Sequence, residues 1–252
     1  MVNKRRTWVQ AGVRGALDLL APHRCVLCQQ LSDTELRLCG HCLDALEINV
    51  GCCPRCALPH TNGSLCAQCL ASPGSVNRIY ANYVYGPSIS RFISMWKHGK
   101  ERDLSLTAAK MTANVDKFPF PHDLAVAIPL HWSRHLTRGF NQSADLLEDL
   151  IDQGVDLQCP ESIIRSRLSG PRPTPRLVRR GLTPSQTGAD RKTRHRQLRA
   201  AFQVRGSFKG LRVLLIDDVC TTGATAEACA STLLAAGATE VNLWCLARTP
   251  VH

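Results

Sequence analysis

Aromatic and acidic residues are both scarce in this chain. Phe, Trp and Tyr make up 5% of its 252 residues, too few for an extensive base-stacking platform. Asp and Glu number 20 against 31 Lys and Arg, which leaves a formal charge of +11. No apolar run approaches the roughly 18 residues that a bilayer-spanning helix needs, which argues against a transmembrane protein. The chain also lacks Gly-x-x-x-x-Gly-Lys-Ser/Thr and any Gly-x-Gly-x-x-Gly after a strand, which argues against a P-loop nucleotidase or a dinucleotide-binding unit. An export core is missing too. Met1-Val-Asn-Lys-Arg-Arg mimics the start of a signal peptide, but Gln10, Arg14 and Asp18 interrupt the stretch between Thr7 and Leu20. We therefore read a cytoplasmic chain. Hydrophobic residues reach 44%, enough for a globular protein of one large domain or two smaller ones.

Cysteine, by contrast, is abundant. Nine of the 13 cysteines lie between Cys25 and Cys69, eight of them in four Cys-x-x-Cys pairs: Cys25/Cys28, Cys39/Cys42, Cys53/Cys56 and Cys66/Cys69. A disulfide framework fits poorly in a reducing compartment. A thioredoxin-like redox motif accounts for one such pair, not four in a row. Zinc accounts for all of them, because two thiolates on a tight turn take two corners of a tetrahedral ion and a second turn takes the other two. Eight ligands predict two closed, structural zinc sites. Pairing neighbours gives Cys25, Cys28, Cys39, Cys42 and then Cys53, Cys56, Cys66, Cys69; an interleaved pairing has the same stoichiometry. A segment this short has little core of its own, so metal binding is expected to supply much of its folding free energy. Cys52 packs or stands beside a site. Cys159, Cys220, Cys229 and Cys245 read as small buried hydrophobes.

The most specific stretch is Val213-Leu-Leu-Ile-Asp-Asp-Val-Cys-Thr-Thr-Gly-Ala-Thr225. Four apolar residues read as a strand buried on both faces. Asp217 and Asp218 stand at its end, a small-residue turn comes next, and a helix runs from about residue 226 to 236, closed by Gly237. Backbone N–H groups of such a turn and helix start converge on an anion. Gly223 permits close approach, and Thr hydroxyls add donors. The carboxylates suit hydroxyl groups or magnesium instead. A ligand carrying both a 5′-phosphate and ribose hydroxyls satisfies the two halves together.

Leu124-Ala-Val-Ala-Ile128 reads as another buried strand, running into Pro129, Leu130 and His131 and then a helix to about Gln153. Residues 78–86 alternate like a strand. A helix comes after it, capped by Ser88, with Ile89, Phe92, Ile93 and Trp96 on one side. A late strand is expected at 241–246. Alternating strands and helices predict a mainly parallel sheet with helices on both faces. Between Arg165 and Arg199 stand eleven Lys/Arg and a single acid, Asp190. This segment, rich in Pro and Gly over 170–188, is expected to form a mobile loop whose cations meet pyrophosphate or nucleic-acid phosphates.

The 213–225 stretch resembles the phosphoribosyl-pyrophosphate (PRPP) signature of type I phosphoribosyltransferases. With the Cys pairs, Trp96-Lys-His-Gly99, Ile128-Pro-Leu-His131, Arg138-Gly-Phe-Asn-Gln142 and Thr183-Pro-Ser-Gln-Thr-Gly188, the chain from about residue 19 to 248 resembles the ComF family (ComFC or GntX-like). Ala189-Asp190 and Gln197 depart from that family's usual Leu-Ser and Asn. The resemblance implies an α/β fold: a type I phosphoribosyltransferase-like sheet over 76–252, preceded by an N-terminal helix and a Cys-rich double zinc ribbon over 1–75. It implies that Asp217 and Asp218 hold the ribose hydroxyls and that Thr221, Thr222, Gly223, Ala224 and Thr225 wrap the 5′-phosphate. Pro129, Leu130 and His131 would border the pyrophosphate, with Lys97, Arg134 and Arg138 as nearby cations and Mg²⁺ as the bridging ion.

The family is associated with competence, and one branch with gluconate utilisation. Two readings of function therefore stand. In one, the protein binds PRPP with magnesium and transfers phosphoribose to an acceptor that the sequence does not name. In the other, it binds single-stranded DNA or docks competence-machinery proteins, and PRPP is a regulatory or vestigial ligand.

Overall fold

A computed structural model describes residues 24–34, 36–98, 103–113, 120–130, 139–155, 157, 175–179 and 200–250. The chain divides into two compact units, Met1–Leu46 and Glu47–His252. The boundary expected at residues 75 and 76 follows composition. Compactness instead groups 47–75 with the sheet, so the first cysteine quartet belongs to one unit and the second quartet to the other.

In the first unit, a tight turn at Cys25–Cys28 is closed by Cys25 N–H donating to Gln30 O at 2.7 Å. The next Cys pair opens a short helix, α1 (Gly40–Asp44), with Cys39 at its N-cap. Among the described residues of this unit, Cys25, Val26, Leu27, Leu38, Cys39 and Leu46 are buried. That is a small apolar set among the described residues, and metal binding compensates for a small core.

The second unit repeats this plan and then builds a sheet. Cys66 caps α2 (Ala67–Ala71). Strand β1 (Ile79–Val84) leads into α3 (Pro87–His98), and α4 (Leu104–Ala113) comes after it. Then come β2 (Leu124–Ala127), α5 (Gln142–Asp152), β3 (Arg176–Arg179), β4 (Phe202–Arg205), β5 (Arg212–Cys220), α6 (Ala224–Ala235) and β6 (Glu240–Arg248). The four-stranded sheet has the order β1-β6-β5-β2, and every pairing in it is parallel. Helix α3 opens at Pro87, one residue ahead of the expected Ser88 cap. Proline suits that first position because its missing N–H has no intrahelical partner there anyway. Its buried side holds Ile89, Phe92, Ile93 and Trp96, as expected.

The sheet is covered on both faces. Val213 and Leu215 of β5, Leu124 and Val126 of β2, and Val241, Leu243 and Cys245 of β6 pack with Ala226, Cys229, Ala230 and Leu233 of α6. The intervening Leu214, Ile216, Trp244 and Leu246 are equally buried. This two-sided burial explains why β5 and β6 read as continuous apolar runs instead of alternating ones. Gly237, with φ +95°, closes α6, and its N–H donates to Leu234 O. Lys209 crowds the space where a Cβ at Gly237 would sit.

The expectation of a structureless basic loop needs correction at one place. Arg176–Arg179 form β3, antiparallel to β4. Leu177 and Phe202 are buried in this ribbon, and Arg179 stands 5.2 Å over the Phe202 ring. Two apolar anchors and a cation–π contact give these residues a reason to pair despite their charge. The remainder of 165–199 lies outside the described residues, as does Cys159. Among the described residues, no helix is long and apolar enough to cross a membrane.

The central strand sets the stability of the second unit. Leu215→Ala removes a fully buried side chain between β2 and β6 and should cost about 2–5 kcal/mol. Denaturant titration checks this, with bound zinc expected to stay unchanged.

Candidate functional site

The structure gathers neighbouring cysteines, not interleaved ones. The ligand sulfurs of Cys25, Cys28, Cys39 and Cys42 lie within 4.8 Å of one another, and those of Cys53, Cys56, Cys66 and Cys69 do the same. Cys28 and Cys39 sulfurs are 3.6 Å apart, and so are those of Cys56 and Cys66. A tetrahedral zinc with bonds of about 2.3 Å spaces its sulfurs by about 3.8 Å, so the donor set fits the ion. Cys52 stays outside both quartets and packs, half-buried, against the sheet core.

The two centres share their local chemistry. Burial works against ionisation of Cys25, but N–H donors from Cys28, Cys39 and Leu27 outweigh it and hold the thiol down to about 6. Cys53 is held at about 6 by the same balance, with Cys56, Cys66 and Arg55 as donors. Gln29 and Ala57, each just after the second cysteine of its turn, take left-handed backbone at φ 66° and 53°. Burial pushes Cys42 and Cys69 upward. A bound divalent ion reverses that, because it deprotonates its thiol ligands.

The candidate phosphate loop grows out of β5. The strand does not stop at Ile216 as the apolar run suggests. It keeps pairing with β6 through Cys220, which is opposite Arg248. Asp217 and Asp218 therefore lie inside the strand, and successive residues of a strand project to opposite faces. Asp217 lines a small cavity of about 30 Å³ together with Thr221, Gly223, Ala224 and Thr225. Asp218 points elsewhere and pairs with Lys97 at the end of α3. Gly223, with φ +79°, makes the turn into α6. Thr222 Oγ1 accepts from Ala224 N–H at 3.3 Å. Thr221 and Thr222 are exposed, and the start of this 12-residue helix favours an anion.

Ser143 is a contributor that sequence inspection missed. Its hydroxyl donates to Asp217 Oδ1 at 2.9 Å, and Asp218 N–H donates to the same oxygen at 2.9 Å. Ser143 is placed by Asn141 at the head of α5. Asn141 caps α5 by accepting from Ser143 N–H at 3.2 Å, and its amide donates to Ile128 O at 3.1 Å. Phe140 is buried beneath. A capping residue just ahead of a serine was a legible signal, but its target was not. Pro129 and Leu130 continue from β2, where Ile128 N–H donates to Ile216 O. They are half-buried. His131, Arg134 and Arg138 lie outside the described residues.

Burial is the main force on the Asp217 carboxyl and raises it well above the usual carboxylate range, with the Asp218 charge adding to the effect. Ser143, the Asp218 N–H and Lys97 pull the other way but do not win. A donor set of one buried carboxyl, one lysine-paired carboxylate, Thr hydroxyls and a helix start suits an anion beside a hydroxyl-bearing or cationic group.

Comparison with known proteins puts both cysteine quartets in one domain match, which runs across the boundary between the two compact units. Residues 16–70 match the double zinc ribbon domain, and residues 137–251 match the phosphoribosyl transferase domain. The chain is 31% identical over 240 residues to the DNA utilization protein YhgH of Salmonella typhi, covering 92% of this chain and 99% of that one. It is 25% identical to competence protein F of Haemophilus influenzae, covering 93% and 94%. Competence protein ComFC of Bacillus subtilis matches at 26%, covering 84% and 85%. This is thus a protein with a double zinc ribbon and a phosphoribosyltransferase domain. It belongs to the ComF family.

Mass spectrometric metal analysis should find two zinc ions per chain, one for each quartet. Cys42→Ala should remove one and leave the sheet-containing unit's melting unchanged, whereas Cys69→Ala should remove the other and lower it. Asp217→Asn should stabilise the protein. The folded carboxyl is raised above its unfolded value, so ionising it weakens the fold as pH rises from about 4. The gain in melting temperature of the Asn variant should therefore grow as the pH rises above about 4. A flat or negative difference would overturn the upward shift of Asp217.

Proposed function

We propose that the protein binds PRPP together with magnesium at the end of β5 and acts in DNA uptake in the cytoplasm. The observation that carries this is the small cavity that Asp217 lines with Thr221, Gly223, Ala224 and Thr225 at the start of α6, the same carboxyl accepting from Ser143. The turn and helix start would hold the 5′-phosphate by N–H donation. The second oxygen of Asp217, which has no partner among the described residues, would accept from a ribose hydroxyl. Mg²⁺, when bound with PRPP, would neutralise pyrophosphate charge. Asp218 is already paired with Lys97, so its share is to fix that lysine near the ligand. The competence and DNA-utilization names of its relatives favour a role in handling incoming DNA.

Catalysis here would be mainly positioning and charge stabilisation. Transfer to an acceptor is one reading. The other is a single-stranded DNA-binding or partner-docking protein for which PRPP is a regulatory ligand. The excess of Lys and Arg between residues 165 and 199 favours the second as much as the first.

Calorimetry of the zinc-loaded protein with PRPP, with and without Mg²⁺, and an assay of pyrophosphate release separate the two. Binding with release in the presence of a base or nucleotide establishes transfer. Binding without release supports the regulatory ligand. The double change Asp217→Asn, Asp218→Asn should abolish PRPP binding and spare binding of single-stranded DNA. The DNA affinity should fall steeply with salt. PRPP binding that survives the double change would overturn the assignment.

A further inference from the structure

Arg248, the last residue of β6, is 4% exposed. Its Nε donates to Cys56 O at 3.0 Å, on the turn that carries two ligands of the second metal site. Its Nη1 donates to Cys220 O at 3.0 Å and also to Thr221 O, where the phosphate loop begins. One planar guanidinium thus joins the metal turn to the loop. No carboxylate forms an ion pair with Arg248 among the described residues. A buried cation needs negative charge nearby, and four thiolates around one Zn²⁺ leave a net charge of about −2 at the centre on the far side of Cys56.

Few other contacts could do this work. The metal turn and the loop face each other across a cavity of about 150 Å³, lined by Arg55, Gln68, Thr222 and Gly223 among others. Close packing between them is therefore interrupted where Arg248 bridges. A second tie lines the same cavity. Glu227, in the first turn of α6, accepts from Ser75 N–H at 2.6 Å and Val76 N–H at 3.4 Å, just after the second quartet. A Cβ at Gly74 would collide with that carboxylate, so the chain leaving the metal site is fitted to α6.

We infer that the second Cys₄ site positions the phosphate loop and that Arg248 is the positioning residue through which it acts. Occupancy of a metal site remote from the reacting groups then governs how well the loop is ordered for an anion. The loop's ligand as PRPP rests on the function proposed above; the ordering of the loop does not.

The test uses the full zinc-loaded chain with Arg248→Gln, Arg248→Lys, Cys69→Ser, Cys25→Ser and the double variant Arg248→Gln/Cys69→Ser. Arg248→Gln should keep both zinc ions, yet amide hydrogen exchange in a peptide spanning 219–226 should speed up about tenfold while 213–216 stays protected. Cys69→Ser should lose one zinc and give the same local increase. The double variant should be no faster than either single change, since both remove one linkage. Cys25→Ser should leave 219–226 unmoved. Lysine should restore only part of the protection, because an ammonium lacks the fork that reaches both groups of carbonyls. Additive increases in the double variant, or a loop unmoved by loss of the second zinc, would overturn the inference. If Cys69→Ser does not fold, stepwise chelation of the wild-type and Arg248→Gln proteins reads the same coupling. Arg248→Gln should also weaken PRPP binding about tenfold or more. If the wild-type protein binds no PRPP, the function proposed above fails while the exchange result still decides the linkage.

Discussion

Strand β5 outruns its own apolar stretch, and the geometry of the candidate site depends on that. Its first four hydrophobic residues are paired on both sides, with β2 at Val213–Ile216 and with β6 beyond them. The β6 pairing holds the next residues extended as well, although two are aspartates. An extended chain cannot present Asp217 and Asp218 side by side. One carboxyl goes into the loop cavity beside Ser143, the other to Lys97. The division of labour between them comes from hydrogen bonding in the sheet and not from any local preference of Asp-Asp.

The zinc ribbon and the sheet solve different versions of one problem. The sheet buries apolar side chains on both faces. Among its described residues, the segment around the first quartet has few such side chains to offset the entropy of ordering its turns. Thiolates arranged around a divalent ion replace the missing core. The second quartet differs because it is continuous with the sheet. Ile79 N–H donates to Arg55 O, and Asn49 Nδ2 donates to Ala57 O from a buried position. Its metal turn is thereby a wall of the larger unit.

Much of this was legible in order along the chain. The Cys spacing predicted two metal sites because a tight turn with two thiolates is a local device. The β5–turn–α6 unit was legible for the same reason. What could not be read were contacts set by tertiary pairing. The length of β5 depends on β6, and the partner of Ser143 lies 74 residues away. Glu227 reaches back 152 residues to Ser75, and Arg248 reaches back 192 to Cys56. Nothing in the neighbourhood of a glutamate in a helix or an arginine ending a strand announces such partners. The short β3 strand failed for a related reason. Pro, Gly and Arg around it argued for a loop, while Leu177 needed the distant Phe202 to reveal a buried ribbon.

Buried charge is spread over the site in a way that a ligand would relieve. Asp217 is desolvated without a cation of its own, which is unfavourable for an isolated fold. Lys97 is committed to Asp218. Arg248 is committed to carbonyls. Removing one member of the Lys97–Asp218 pair, or the Arg248 guanidinium, would leave buried partners unsatisfied. Their persistence side by side is explained if further partners arrive with the ligand: hydroxyls or a cation at Asp217, and an anion at the loop that Arg248 holds in shape. The strain on the fold and the capacity to bind are then two aspects of the same arrangement.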